Sequence, residues 1–137
     1  MFRGETKIRV RYGETDRMGY VYYGNYAEYF EVARVEALRE IGFSYREMED
    51  RGIFLPVFDF SIRYHKPAFY DDIITIVTEI REVPGVRMTF HHLCYNVVGD
   101  LINTGRVTLV FIDGKKKRPA APPEWFLKEM KKYFIQK

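Results

Sequence analysis

The chain predicts an α+β domain. Three observations point there. One long helical segment lies in the N-terminal third. Four segments of strand character follow it in short succession. The turns between the last of these are too short for a crossover, so their pairing must be antiparallel. At 137 residues the chain fits a single domain, 1–137, with no linker and no internal repeat. It is 47% hydrophobic without a low-complexity tract, which is the composition of a chain that buries a core.

Residues 6–12 open the reading. Ile8, Val10 and Tyr12 alternate with Lys7, Arg9 and Arg11, a period of two that predicts a strand with one wet face. Residues 26–41 are helical. Tyr26, Tyr29, Phe30, Ala33, Ala37 and Ile41 form one stripe, and Val32, Val35 and Leu38 widen it nearly all round. Gly42 stops the helix. Residues 44–52 make a short second helix or turn. Strands are expected at 58–64, 73–81, 87–97 and 101–112, with Pro84-Gly85 and Gly99-Asp100 marking hairpin turns. A basic loop at 115–118 is closed by Pro119, Pro122 and Pro123, and a short amphipathic helix spans 124–134. The long helix has only the sheet to cover it, so it must lie on one sheet face. A five-stranded antiparallel sheet leaves two edges, and natural sheets avoid naked edges. Edge-to-edge pairing into a homodimer is the structural expectation.

Several function classes are excluded at this level. No apolar run approaches the ~20 residues that span a bilayer. Arg3, Glu5 and Lys7 break any signal-peptide core. A single cysteine, Cys94, excludes an intrachain disulfide and fits a reducing, cytoplasmic setting. Net charge is only +3, and no base-stacking motif accompanies the basic loop, so nucleic acid is not the expected partner. His91 and His92 are adjacent on a strand and point to opposite faces; with no HxH, HExxH or CxxC spacing, no metal site is expected. His92 and Cys94 do share a face, which makes a Cys-His nucleophile conceivable, but a strand cysteine is usually a small buried residue.

The chemistry is concentrated between Tyr12 and Tyr26. A carboxylate, Asp16, stands in the turn after the first strand, and a glycine-punctuated loop runs into the long helix. Exposed N–H groups at a helix start stabilise a developing oxyanion. A nearby carboxylate attacks a carbonyl or takes a proton from water. The pairing points to acyl transfer. Taken alone, Asp16 would read as a turn residue. Glu14, the nearest rival carboxylate, reads as a solvated turn residue with a rescuing role left open, Asn25 as the helix cap, and Glu31 as a partner for Arg34 or for loop backbone.

The same stretch resembles the 4-hydroxybenzoyl-CoA thioesterase family of hotdog-fold proteins, and within it the small bacterial acyl-CoA thioesterases that include the Tol-Pal-associated enzymes. The matching residues are Thr15-Asp16, Met18-Gly19, Val21-Tyr22, Asn25-Tyr26, Phe30-Glu31 and Ala33-Arg34, then Tyr64-His65-Lys66-Pro67-Ala68 and Asp71-Asp72. The resemblance implies a hotdog fold, with the sheet wrapped around the central helix. It implies hydrolysis of an acyl- or aroyl-CoA with no cofactor, CoA being part of the substrate. The catalytic carboxylate falls on Asp16 and the oxyanion contact on the backbone of Tyr23 and Gly24. Many members have His where this chain has Tyr23, so the role there rests on backbone. The resemblance further implies a homodimer or homotetramer with sites at a subunit interface. Asn25, Lys66 and Arg87 are the expected substrate-binding residues, the last two as part of a basic rim for the CoA phosphates; the 115–118 run reads as a solvated loop. Two alternatives stay open: an acyl-CoA-binding or assembly module of the same fold, and, more weakly, nucleic-acid binding through the basic loop.

Overall fold

A computed structural model describes residues 1–135. In chain order it contains β1 (Phe2–Arg9), α1 (Asn25–Ile41), α2 (Tyr45–Asp50), β2 (Ile53–Phe54), β3 (Val57–Tyr64), β4 (Ile73–Ile80), β5 (Arg87–Tyr95), β6 (Leu101–Val110), β7 (Ile112–Asp113), β8 (Arg118–Pro119) and α3 (Glu124–Lys131). The five long strands form one antiparallel sheet in the order β1-β4-β5-β6-β3. This is the expected five-stranded α+β architecture, with α1 against one sheet face.

Alternation along the strands explains which face α1 takes. Ile74, Ile76, Thr78 and Ile80 on β4, and Met88, Phe90, His92 and Cys94 on β5, are buried at every second position. They meet a helical stripe of Tyr26, Tyr29, Phe30, Ala33, Ala37, Leu38 and Ile41. Phe30 packs so closely on β6 that a Cβ at Gly105 would stand 2.4 Å from its ring. Gly42 ends α1 at φ 118°, its N–H reaching the Leu38 and Arg39 carbonyls.

Four expectations need correction. The first strand runs from Phe2 to Arg9, not to Tyr12. Glu14 accepts the Arg11 amide at 2.8 Å and turns the chain into a single 3-10 turn at Tyr12–Glu14, leaving Tyr12 exposed against Tyr70. The apolar cover of α1 is not nearly complete: Val32 is 46% exposed and Glu28, Glu31, Glu36 and Glu40 face water, because the sheet covers one side only. Arg34 lies inside the buried stripe and donates to the Tyr45 hydroxyl (3.4 Å), not to Glu31. Finally, the basic loop is held in a small second sheet, β2-β7-β8, where the Asp113 carboxylate accepts the Lys115 and Lys116 amides.

β3 is an open edge. Val57, Phe58, Phe60 and Tyr64 along it are 38–57% exposed, far more than the central strands. Among the described residues no helix is long and apolar enough to cross a membrane.

Candidate active site

The loop between β1 and α1 is built around two carboxylates with opposite surroundings. Glu14 is buried. It accepts from the Arg11 amide (2.8 Å), the Arg11 guanidinium (2.9 and 3.2 Å) and the Tyr29 hydroxyl (2.9 Å). Burial alone would raise its pKa, but these hydrogen bonds together outweigh it and hold the carboxyl below its ordinary value. Glu14 is therefore a structural clamp, not the solvated turn residue the sequence suggests. Its own carbonyl takes the Tyr22 amide and the Asn25 side-chain amide, fastening the loop to the start of α1. Asn25 is thus a tether inside the first turn; the capping position falls on Gly24.

Asp16 is exposed at the tip of the loop. One carboxylate oxygen, Oδ1, accepts the Met18 and Tyr20 amides (2.8 and 3.2 Å), while Gly19 closes the turn at φ 81°. The second oxygen accepts no hydrogen bond from the described residues. The residue therefore makes its turn with one oxygen and leaves the other open to the loop's surroundings.

A shallow cavity of about 290 Å³ opens beside it, lined by Asp16, Tyr20, Val21, Tyr23, Tyr64 and Lys66, among others. Tyr64 crosses from the end of β3 and donates its hydroxyl to the Tyr23 carbonyl at 2.9 Å. That contact fixes the peptide entering α1. The Asn25, Tyr26 and Ala27 amides are all engaged by carbonyls. Tyr23 and Gly24 carry the two N–H groups at the helix entrance that find no acceptor among the described residues. A Cβ at Gly24 would approach the exposed Tyr22 ring to 2.9 Å, so any side chain there would push that ring aside.

The structure brings Asp16, Tyr23 and Lys66 to one cavity, with Gly24 next in the chain. Lys66 pairs with Asp100 at 3.1 Å, both partly exposed. Arg87 is not part of this group. It begins β5, which pairs with the end of β6, whereas Tyr64 and Lys66 follow the opposite end of β3. Seven residues of strand separate the two ends, roughly 23 Å at strand rise. Its guanidinium stacks on Phe58 at 4.3 Å. His92 and Cys94 share the inner face as their spacing requires, but both are fully buried. Desolvation pushes the Cys94 thiol up to about 12 and the His92 imidazole down to about 3, leaving neither suited to nucleophilic work. Sequence reasoning weighed Glu14 as a rival carboxylate and not as a clamp, and it missed Tyr29 and Tyr64 as parts of the site. The Arg11-Glu14 spacing of three was the available signal for the first; nothing local signals the other two.

Comparison with known proteins identifies the family and the fold. The family model described as the thioesterase-like superfamily matches residues 10–130. The chain is 33% identical over 124 residues to the "Acyl-CoA thioester hydrolase YbgC" of Escherichia coli O6:H1, covering 90% of this chain and 92% of that one. It is 33% identical over 119 residues to the "Acyl-CoA thioesterase YbgC" of Haemophilus influenzae, covering 85% and 86%. A DHNA-CoA thioesterase of Staphylococcus aureus of known structure superposes with a TM-score of 0.89 at 35% identity, over 98% of this chain and 90% of that one. The loop, the sheet and the helix it wraps are those of a hotdog enzyme, and the chain belongs to the thioesterase-like superfamily.

Proposed function

We propose that the protein hydrolyses an acyl- or aroyl-CoA thioester, with Asp16 as nucleophile or general base and the Tyr23 and Gly24 amides as the oxyanion hole. The observation that carries the site reading is a half-free carboxylate sharing a cavity with Tyr23, whose N–H and that of Gly24 next in the chain are unengaged at the helix entrance. Relatives named as acyl-CoA thioesterases support the substrate class.

In the base route, Asp16 takes a proton from water as its oxygen adds to the thioester carbon. Negative charge gathers on the carbonyl oxygen, faces the two amides, and collapses to expel CoA thiolate. In the nucleophile route, Asp16 oxygen adds first, CoA thiolate leaves, and water hydrolyses the mixed anhydride. Both consume one water and yield carboxylate and CoA. An oxyanion donor is typically worth ~10²–10³ in rate and a general base ~10²–10⁴. The chemistry calls for no metal or organic cofactor.

The assembly we propose is a homodimer joined along β3, or a homotetramer of two such dimers, acting in the cytoplasm. Two-fold antiparallel pairing of β3 would bring the partner's Val57 end to the Tyr64 end of each subunit, so each cavity would be completed by its neighbour. Spectrophotometric thiol release across a panel of acyl- and aroyl-CoA esters tests the activity. Tight binding of an ester with no thiol released would support the non-catalytic binding module instead.

A further inference from the structure

The sheet face turned away from α1 carries an arginine-rich trough that the acyl chemistry does not use. Two hollows of about 470 and 540 Å³ adjoin there and share Arg81, His91 and Arg106. Strand register sets the floor. His91 on β5 lies opposite Arg106 on β6, which lies opposite Ser61 on β3; one step on, Thr104 lies opposite Arg63. Arg87 lines one hollow and Arg63 the other.

The charges are unevenly neutralised. Arg81 pairs with Glu79 at 3.0 Å and Arg106 with Asp59 at 3.7 Å. Glu82 also lines the trough. Arg63 and Arg87 pair with no carboxylate among the described residues, and Arg87 is held by its stack on Phe58. A guanidinium presents a rigid fork that matches phosphoryl oxygens two at a time. Neighbouring strands stand ~4.8 Å apart, so Arg63 on β3 and Arg106, two positions from its partner Thr104 on β6, can engage phosphoryl groups joined in one molecule. Ser61, Thr104 and the Thr89–Thr108 hydroxyl pair (3.1 Å) add hydroxyl donors to the floor.

We propose that this trough is a binding site for a small anion carrying two or more phosphoryl groups, on the opposite side of the sheet from α1. Its central arginines are held by one carboxylate each, while the Arg63 guanidinium is free to close on the anion. Arg87, six residues of strand away or roughly 20 Å at strand rise, marks the far end of the trough.

Titration calorimetry of the full chain with inorganic pyrophosphate, at low salt, tests the site. Saturable binding of one anion per chain is expected. R63Q/R106Q should weaken it at least ~10-fold, the loss expected when charge-assisted hydrogen bonds disappear, with an unchanged thermal melt. K116Q/K117Q, on the distant basic loop, should leave it intact. ATP in place of pyrophosphate should bind with the same dependence on Arg63 and Arg106. Absence of saturable binding would overturn the proposal, as would equal weakening by K116Q/K117Q. A change of oligomeric state in R63Q/R106Q would also overturn it, because the trough would then be a surface between copies of the chain.

Discussion

Glu14 and Asp16 stand two residues apart and do different work because their surroundings differ. Glu14 is enclosed by four donated hydrogen bonds; Asp16 is exposed with one oxygen bound. Glu14→Gln is predicted to cost ~1–3 kcal/mol at pH 7 in urea denaturation, the price of unpairing the Tyr29 hydroxyl and the Arg11 donors. The folded pKa of Glu14 lies below its ordinary 4.5. Its stabilisation is therefore present above about that value and is lost as pH falls through the lowered one. The gap between wild type and Glu14→Gln should narrow below pH 4.5. His92 acts on the same side of the pH scale. Buried against Phe30, it is held neutral down to about 3, whereas the unfolded chain binds its proton near 6.5. Between those values the unfolded state holds more protons, so stability should fall with falling pH, at up to ~1.4 kcal/mol per unit. A His92→Leu variant should flatten that slope in pH-dependent melts. The sequence drew attention to Asp16 because its loop has a recognisable order of residues. It could not foresee the burial of Glu14, because that depends on a tyrosine fifteen positions later.

At the scale of elements, the periodicity of the strands and of α1 was enough to find each long element within a few residues. What it could not supply was the helix's wet side or the end of β1. Those depend on where the sheet stops and on a local clamp at Glu14, and no alternation records either. The packing of α1 on β6 hinges on Gly105, whose missing side chain admits Phe30 between His92 and the edge strand. Gly105→Ala would force that ring aside and should destabilise the fold by ~1–3 kcal/mol in chemical denaturation. The small β2-β7-β8 sheet was invisible in advance because two-residue strands have no period to read.

At the scale of the whole molecule, the exposed apolar residues of β3 mark the side on which a second copy is expected. Phe58→Glu together with Val57→Glu should shift the mass in sedimentation equilibrium toward monomer, with little loss of secondary structure by circular dichroism. A monomeric wild type would contradict the edge-paired assembly. Lys66 and Arg87, expected in one basic rim, stand at opposite ends of the sheet, since strand order decides which end a residue occupies and the sequence does not print that order.

The central claim is that Asp16, and not its neighbour Glu14, performs the chemistry on a thioester. The most direct measurement is thiol release from the best acyl-CoA substrate by wild type and Asp16→Asn, each confirmed folded by its melt. A fall in kcat of ~10²-fold or more is predicted, the range for removing a positioned base or nucleophile. Undiminished turnover by a folded Asp16→Asn protein would contradict the account.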